Sequence, residues 1–146
     1  MSGNCSGLEV FIDGGARGNP GPAAAGVVIR DREDGVVLFQ GGYFLGDATN
    51  NVAEYTALLK GLARAAELAP EAIEVFSDSE LLVRQMNGEY RVRNTRLREL
   101  FHKANTLCRD LRQVSFNHIR REQNTQADAL VNQALNLRRD VEDAAE

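Results

Sequence analysis

Asp13, Glu54, Asp78 and Asp128 are carboxylates in places where a folding argument would put apolar side chains: the ends of two apolar strands and the inward stripes of two helices. In Leu8-Glu9-Val10-Phe11-Ile12-Asp13 and Ala72-Ile73-Glu74-Val75-Phe76-Ser77-Asp78, β-prone residues run into an aspartate. Strand alternation sets Phe11 and Phe76 on the same face as the aspartate two places on. Glu54 opens a helical segment, Ala53 to Leu68, in which Leu58, Gly61, Leu62 and Ala65 follow it at helical spacing on the inward side. Asp128 repeats the arrangement with Val131 and Leu135. Two carboxylates about 4 Å apart repel by roughly 4 kcal/mol at an effective dielectric near 20. Four gathered together would cost more than a domain stable by about 5–15 kcal/mol can carry. Divalent cations would remove that repulsion. Taken singly, each acid could be a cap, a turn residue or a solvated charge; four similar placements point to one metal site.

The elements that must bring these residues together can be read along the chain. Leu8 to Asp13 is a strand, followed by a Gly/Pro-rich turn from Gly14 to Pro22. Ala24 to Arg30 reads as a second strand, Asp31 to Gly35 as a hairpin loop, and Val36 to about Leu45 as a third strand. Thr49-Asn50-Asn51 leads into the first long helix, which ends near Ala69-Pro70. A fourth strand, Ala72 to Ser77, precedes a short helix from Ser79 to about Met86 that stops at Asn87-Gly88. A further helix covers Thr95 to Leu111, a fifth strand Val114 to Ile119, and a last helix Thr125 to Asn136. The pattern predicts an α/β fold: a five-stranded mixed sheet, made of a three-strand antiparallel meander plus parallel strands, with helices packed on it. If strands one and four pair in parallel, Asp13 and Asp78 are neighbours at their carboxyl ends, where ligands of open sheets collect. Residues 8–137 form the domain, 1–7 a flexible N-terminus and 138–146 a charged, unpacked tail.

The chain of 146 residues fits one domain, and its 43% hydrophobic and 26% charged content is that of an ordinary globule. No hydrophobic run is long enough to span a bilayer, and Met1 to Ser6 lacks the basic and apolar parts of a signal peptide, so a cytoplasmic location and no membrane are expected. Cys5 and Cys108 are the only cysteines, which indicates neither a disulfide framework nor a thiolate zinc site. The net charge of −4 argues at first against a nucleic-acid partner. Its distribution matters more. Four acids are the candidate ligands, Glu142, Asp143 and Glu146 lie in the tail, and arginine is concentrated at Arg91, Arg93, Arg96 and Arg98 and again at Arg120 and Arg121. These clusters are either a phosphate-binding surface or a solvated face.

Together the ordered segments Asp13-Gly14-Gly15-Ala16-Arg17-Gly18-Asn19-Pro20-Gly21-Pro22, Thr49-Asn50-Asn51-Val52-Ala53-Glu54, Ser77-Asp78-Ser79 and Arg121-Glu122-Gln123-Asn124-Thr125-Gln126-Ala127-Asp128 resemble the motifs of type 1 ribonuclease H, over about Leu8 to Leu137. The resemblance implies a ribonuclease H-like mixed sheet with helices on both faces. It implies hydrolysis of the RNA strand of RNA·DNA hybrids, leaving 5′-phosphate and 3′-hydroxyl ends, with two Mg²⁺ ions, for which Mn²⁺ can substitute, held by Asp13, Glu54, Asp78 and Asp128. It places Asn19, Asn50 and Asn51 in the hybrid's minor groove and Thr49 on a DNA-strand phosphate, with Gly14, Gly18 and Asn124 among the substrate-binding residues. Hard oxygen ligands suit magnesium, and short amides suit a wide, shallow groove that displays 2′-hydroxyls. The asparagines could equally form turns and caps, and both roles can coexist.

The chain departs from the family pattern near its last motif. Many members carry an auxiliary histidine before the final aspartate. Here His118 competes with Arg121, and Arg121 is favoured because it lies in the loop, whereas His118 belongs to the alternating run Val114, Phe116, His118. Asp47 stands where some relatives place a phosphate-binding cation, and neither an extra basic helix nor a separate N-terminal hybrid-binding module is expected, so substrate affinity should be modest and salt-sensitive. No obligate protein partner is indicated. Two other readings stay open: the same metal chemistry on another nucleic acid, as in related exonucleases, transposases or resolvases, and a non-catalytic binding domain. The Gly-Asn-Pro-Gly and Thr-Asn-Asn segments favour the ribonuclease.

Overall fold

The computed structural model describes residues 6–144. Its sheet is built from β1 (Gly7–Ala16), β2 (Gly21–Asp31), β3 (Val37–Ala48), β4 (Ala72–Ser77), β5 (Val114–His118) and β6 (Val141–Ala144). The helices are α1 (Asn50–Ala66), α2 (Glu80–Met86), α3 (Thr95–Arg109) and α4 (Thr125–Leu137), with a single 3₁₀ turn at Arg121–Gln123 before α4. The strands lie in the order β5-β4-β1-β2-β3-β6. β1, β2 and β3 form the expected antiparallel meander, and β1–β4 and β4–β5 pair in parallel. The flexible N-terminus expected for residues 1–7 falls largely on residues outside those described, Cys5 among them; Gly7 already belongs to β1.

Alternation along the strands sorts the core into two layers. Leu8, Val10 and Ile12 of β1 and Ala25, Val27 and Ile29 of β2 pack with Tyr55, Leu58 and Leu62 of α1 and Leu97 and Leu100 of α3. On the opposite face Ala24 meets Val131, Ala134 and Leu135 of α4, and Val28 meets Ala127 and Leu130. Helices therefore cover both faces, as the resemblance implied. Thr49 caps α1 by accepting from the Val52 N–H at 3.2 Å, and Asn94 and Ser79 do the same for α3 and α2.

The sixth strand corrects the reading of 138–146 as an unpacked tail over residues 138–144; 145 and 146 lie outside the described residues. After α4 the chain turns through Arg138 in the left-handed region (φ 54°), and the Asp140 carboxylate accepts from the Phe44 N–H at 2.9 Å. β6 then pairs antiparallel with β3, Gly42 opposite Val141 and Phe39 opposite Ala144. Val141 packs on Val28, Ala127 and Leu130, and Glu142 lies 3.7 Å from Arg64 of α1. A four-residue acidic strand has too little alternation to be seen in sequence; the unpaired edge of β3 supplies its reason to form.

Two glycines beside Asp13 set how closely the helices approach. A Cβ on Gly14 would collide with the backbone of Ala53 and Glu54 in α1, and a Cβ on Gly26, which sits opposite Asp13 in β2, would collide with the carbonyl of Ala127 in α4. Replacing Gly26 by valine should therefore push α4 off the sheet and destabilise the fold by about 1–3 kcal/mol, as read by urea unfolding. An unchanged midpoint would show that the helix moves without penalty.

Candidate metal centre

Register delivers the first two acids. Phe11 pairs with Phe76 and Ile12 with Ser77 across the parallel β1–β4 ladder, and the rings of Phe11 and Phe76 stack with centroids 4.9 Å apart. One step beyond, Asp13, still within β1, and Asp78, just past the end of β4, stand at the same level, where strands lie about 4.8 Å apart. Glu54 comes from the first turns of α1, brought over the sheet end by the close approach at Gly14, and Asp128 comes from α4 through the close approach at Gly26. Carboxylate oxygens of Asp13, Glu54 and Asp78 lie within 4.8 Å of one another. Asp128 is outside that tightest group, yet it lines the same cavity of about 520 Å³ with the other three acids, Gly14, Arg17, Asn50, Arg121 and Asn132.

Electrostatics record the crowding. Asp13 is 7% exposed. Burial pushes its pKa from 3.8 up to about 8, helped by the charges of Asp78 and Asp128 and by a proton shared with Asp128, while the Gly14 N–H opposes the shift. Glu54 is raised well above the usual range by burial and then by Asp13 and Asp78; the Gly14 N–H and the Arg121 charge pull the other way. Glu54 Oε1 is buried without any hydrogen-bond partner, a cost that native proteins rarely leave unmet. An all-oxygen donor set of clustered carboxylates with an orphaned oxygen fits a hard divalent cation.

The other candidate residues divide into those at the rim and those beneath it. Asn50 Oδ1 accepts from the Ala16 N–H at 2.8 Å, and Asn19 Oδ1 accepts from the Asn50 N–H at 3.0 Å, so both acceptors lock the first turn to α1. Both residues are exposed, as is Asn51. Gly18 takes φ +103°, which suits glycine. The Thr49 hydroxyl accepts from the helix and keeps its own proton to donate.

Asn124, expected at the substrate, is 1% exposed. Its Nδ2 donates to Ile12 O at 2.8 Å and to Asp78 Oδ2 at 3.5 Å, its backbone carbonyl accepts from the Asp128 N–H at 3.1 Å, and its Oδ1 is buried without a partner. It ties three of the acids together from below. Arg121 lines the cavity. His118 is exposed at the end of β5 opposite Ser77 and is not part of the cavity wall. Sequence reasoning missed Arg17, Asn132 and Asn136: Asn132 donates to Asp128 O and Oδ2 at 3.2 and 3.4 Å. The only signal was their spacing, since Asp128, Asn132 and Asn136 follow one another at i+4 on α4.

With this geometry in place, similarity to known proteins is decisive. Residues 11–134 match the family described as "Reverse transcriptase-like". Over 128 residues, 88% of the chain, the sequence is 40% identical to ribonuclease HI of Halobacterium salinarum and to the bifunctional protein Rv2228c of Mycobacterium tuberculosis. The crystal structure of ribonuclease H1 from Halobacterium salinarum has a TM-score of 0.85 at 39% identity, covering 89% of this chain and 98% of that one. The chain belongs to the type 1 ribonuclease H family. The N-terminal ribonuclease H domain of Rv2228c agrees to a TM-score of 0.86 at 39% identity, with 88% and 98% covered. LC11-RNase H1, solved in complex with an RNA/DNA hybrid, agrees to 0.85 at 43%, with 90% and 98% covered. The chain spans 35% of the length of Rv2228c and 64% of the Halobacterium protein. Among the described residues no helix is long and apolar enough to cross a membrane.

The raised pKa of Asp13 gives a signed expectation for the metal-free protein. Its folded pKa of about 8 exceeds the ordinary 3.8, so stability is fully present below the lower value and drains as pH rises through the higher one. Asp13→Asn, which fixes the uncharged form, should raise Tm in chelator, with a larger gain at pH 8 than at pH 5. The scale is about 2–4 °C for each kcal/mol in a domain of this size. Scanning calorimetry that gave the larger gain at pH 5 would contradict the crowding of charge.

Proposed function

We propose that this domain is a metal-dependent endoribonuclease that hydrolyses the RNA strand of RNA·DNA hybrids and leaves 5′-phosphate and 3′-hydroxyl ends. The observation that carries the reading is the convergence of Asp13, Glu54, Asp78 and Asp128 on one cavity whose wall includes Asn50, with Asn19 bonded to Asn50 and Asn51 next in sequence. The four carboxylates would hold two Mg²⁺ ions, for which Mn²⁺ can substitute, and such a pair supplies nucleophile activation and stabilisation of the leaving 3′ oxygen.

The remaining roles belong to the chain itself. Asn19 and Asn50 spend their carbonyl oxygens on the protein and offer amide donors, which match the acceptors that dominate a minor groove and the oxygen of a 2′-hydroxyl. The Gly18 turn lets the backbone come close to the bound strand, and the Thr49 hydroxyl has a proton free for a phosphate oxygen. A guanidinium is no general base near neutral pH; at the cavity wall Arg121 favours the extra negative charge of the reacting phosphate. Arg91, Arg93 and Arg98 line a groove of about 790 Å³ with Tyr90 and Phe101, suited to a second strand's backbone, whereas Arg96 is paired with Glu99 at 3.3 Å. The hybrid-bound structure of LC11-RNase H1 supports the choice of substrate. A cytoplasmic location without an obligate protein partner belongs to the same reading.

Cleavage of a labelled RNA·DNA hybrid, run beside matched RNA duplex, DNA duplex and single strands with Mg²⁺, Mn²⁺ or chelator, tests it. Only the RNA strand of the hybrid should be cut, and only with metal. Cutting of DNA would move the domain to another nuclease class, and tight hybrid binding with no cutting would make it a binding module. Asp13→Asn should abolish turnover. Arg121→Ala should lower kcat by roughly 10²-fold, while His118→Ala leaves kcat close to that of the unsubstituted enzyme; the reverse ranking would exchange their roles.

A further inference from the structure

Arg17 lies in the turn between β1 and β2 and lines the cavity of the four carboxylates. Arg30, Arg64, Arg84 and Arg96 are each held by a glutamate. Arg17, beside four acids, pairs with no carboxylate among the described residues. Its Nη2 donates instead to the neutral Asn136 Oδ1 at 2.8 Å. That bond occupies one guanidinium nitrogen of an exposed residue and leaves donors of the five N–H groups for a ligand.

The anchor's position along α4 says what those donors would meet. Asp128, Asn132 and Asn136 form one stripe at i+4 spacing. A rise of 1.5 Å per residue sets Asn136 about 12 Å along the helix from Asp128. A polynucleotide strand that ran along α4 with one phosphate at the carboxylates would carry a neighbouring phosphate towards Arg17. Guanidinium forks suit such bidentate, charge-assisted contacts.

We propose that Arg17, held in place by Asn136, binds a backbone phosphodiester of the strand being cut, outside the scissile position. The inference rests on the nuclease reading above and extends its substrate footprint along α4. A structural tie between the turn and the helix would need the hydrogen bond but not the charge, and this difference is measurable.

The test compares Arg17→Gln, Arg17→Lys and Asn136→Ala with the unsubstituted protein. Steady-state cleavage of the hybrid is measured, together with hybrid binding over a salt series in an Asp78→Asn background with Mg²⁺. Arg17→Gln should raise KM roughly fivefold with kcat little changed, the pattern of lost uniform binding. The slope of log Kd against log salt should fall by about 1. Arg17→Lys should restore the slope, and Asn136→Ala should weaken binding while keeping it. If the unsubstituted protein cuts the hybrid but Arg17→Gln leaves KM and the slope unchanged, or lowers only Tm, Arg17 is a structural tie and the inference is overturned. If the unsubstituted protein cuts no hybrid, the nuclease reading fails and takes this inference with it; the wild-type control separates the two failures.

Discussion

Asp13 is the point at which charge, packing and chain direction compete. It sits almost buried within a central strand, one residue past the last pairing with β4, with Asp78 just beyond the end of β4, and two helices converge on it from opposite faces of the sheet. Each of those approaches is possible only because a glycine stands beside it: Gly14 next in sequence and Gly26 across the ladder. With side chains there, α1 and α4 would ride higher and their acids would part, relieving the repulsion and dissolving the site. The close approach therefore maintains an electrostatically unfavourable cluster, and the rest of the fold supplies the rigidity to hold it. Functional sites are where such local strain is tolerated, because a ligand can release it.

Much of this could be read from the chain, because the relevant signals were periodic. Alternation in Leu8–Asp13 and Ala72–Asp78 placed both strand acids, and the helical stripes beneath Glu54 and Asp128 showed two more carboxylates on packing faces. What stayed hidden depended on contacts between distant segments. Asn124 looked like any loop amide, since nothing local says that its nitrogen will meet Ile12, 112 positions away. Arg17 and Asn136 are 119 positions apart, and each alone is an unremarkable polar residue. The sixth strand was invisible because its stabilisation comes from the edge it joins and from Val141, not from a pattern of its own.

The rim asparagines illustrate how one side chain can serve architecture and recognition together. An amide has an acceptor end and a donor end. Here the acceptor ends of Asn19 and Asn50 fasten the first turn to the start of α1, so the donor ends are presented on a braced support. The fastening also joins the turn carrying Arg17 to the helix carrying Glu54, which links the rim to the acidic floor. Asn124 performs the matching task below, joining β1, Asp78 and the first turn of α4.

β6 has a consequence for how these molecules behave in company. An open sheet edge is a template on which another chain can add a strand, and that is the usual start of sheet-driven aggregation. By lying along β3, β6 covers residues 39–42 of that edge and sets Glu142 and Asp143 there. Two copies meeting there would bring like charges together over a very short ladder, which disfavours strand addition at this stretch of the edge.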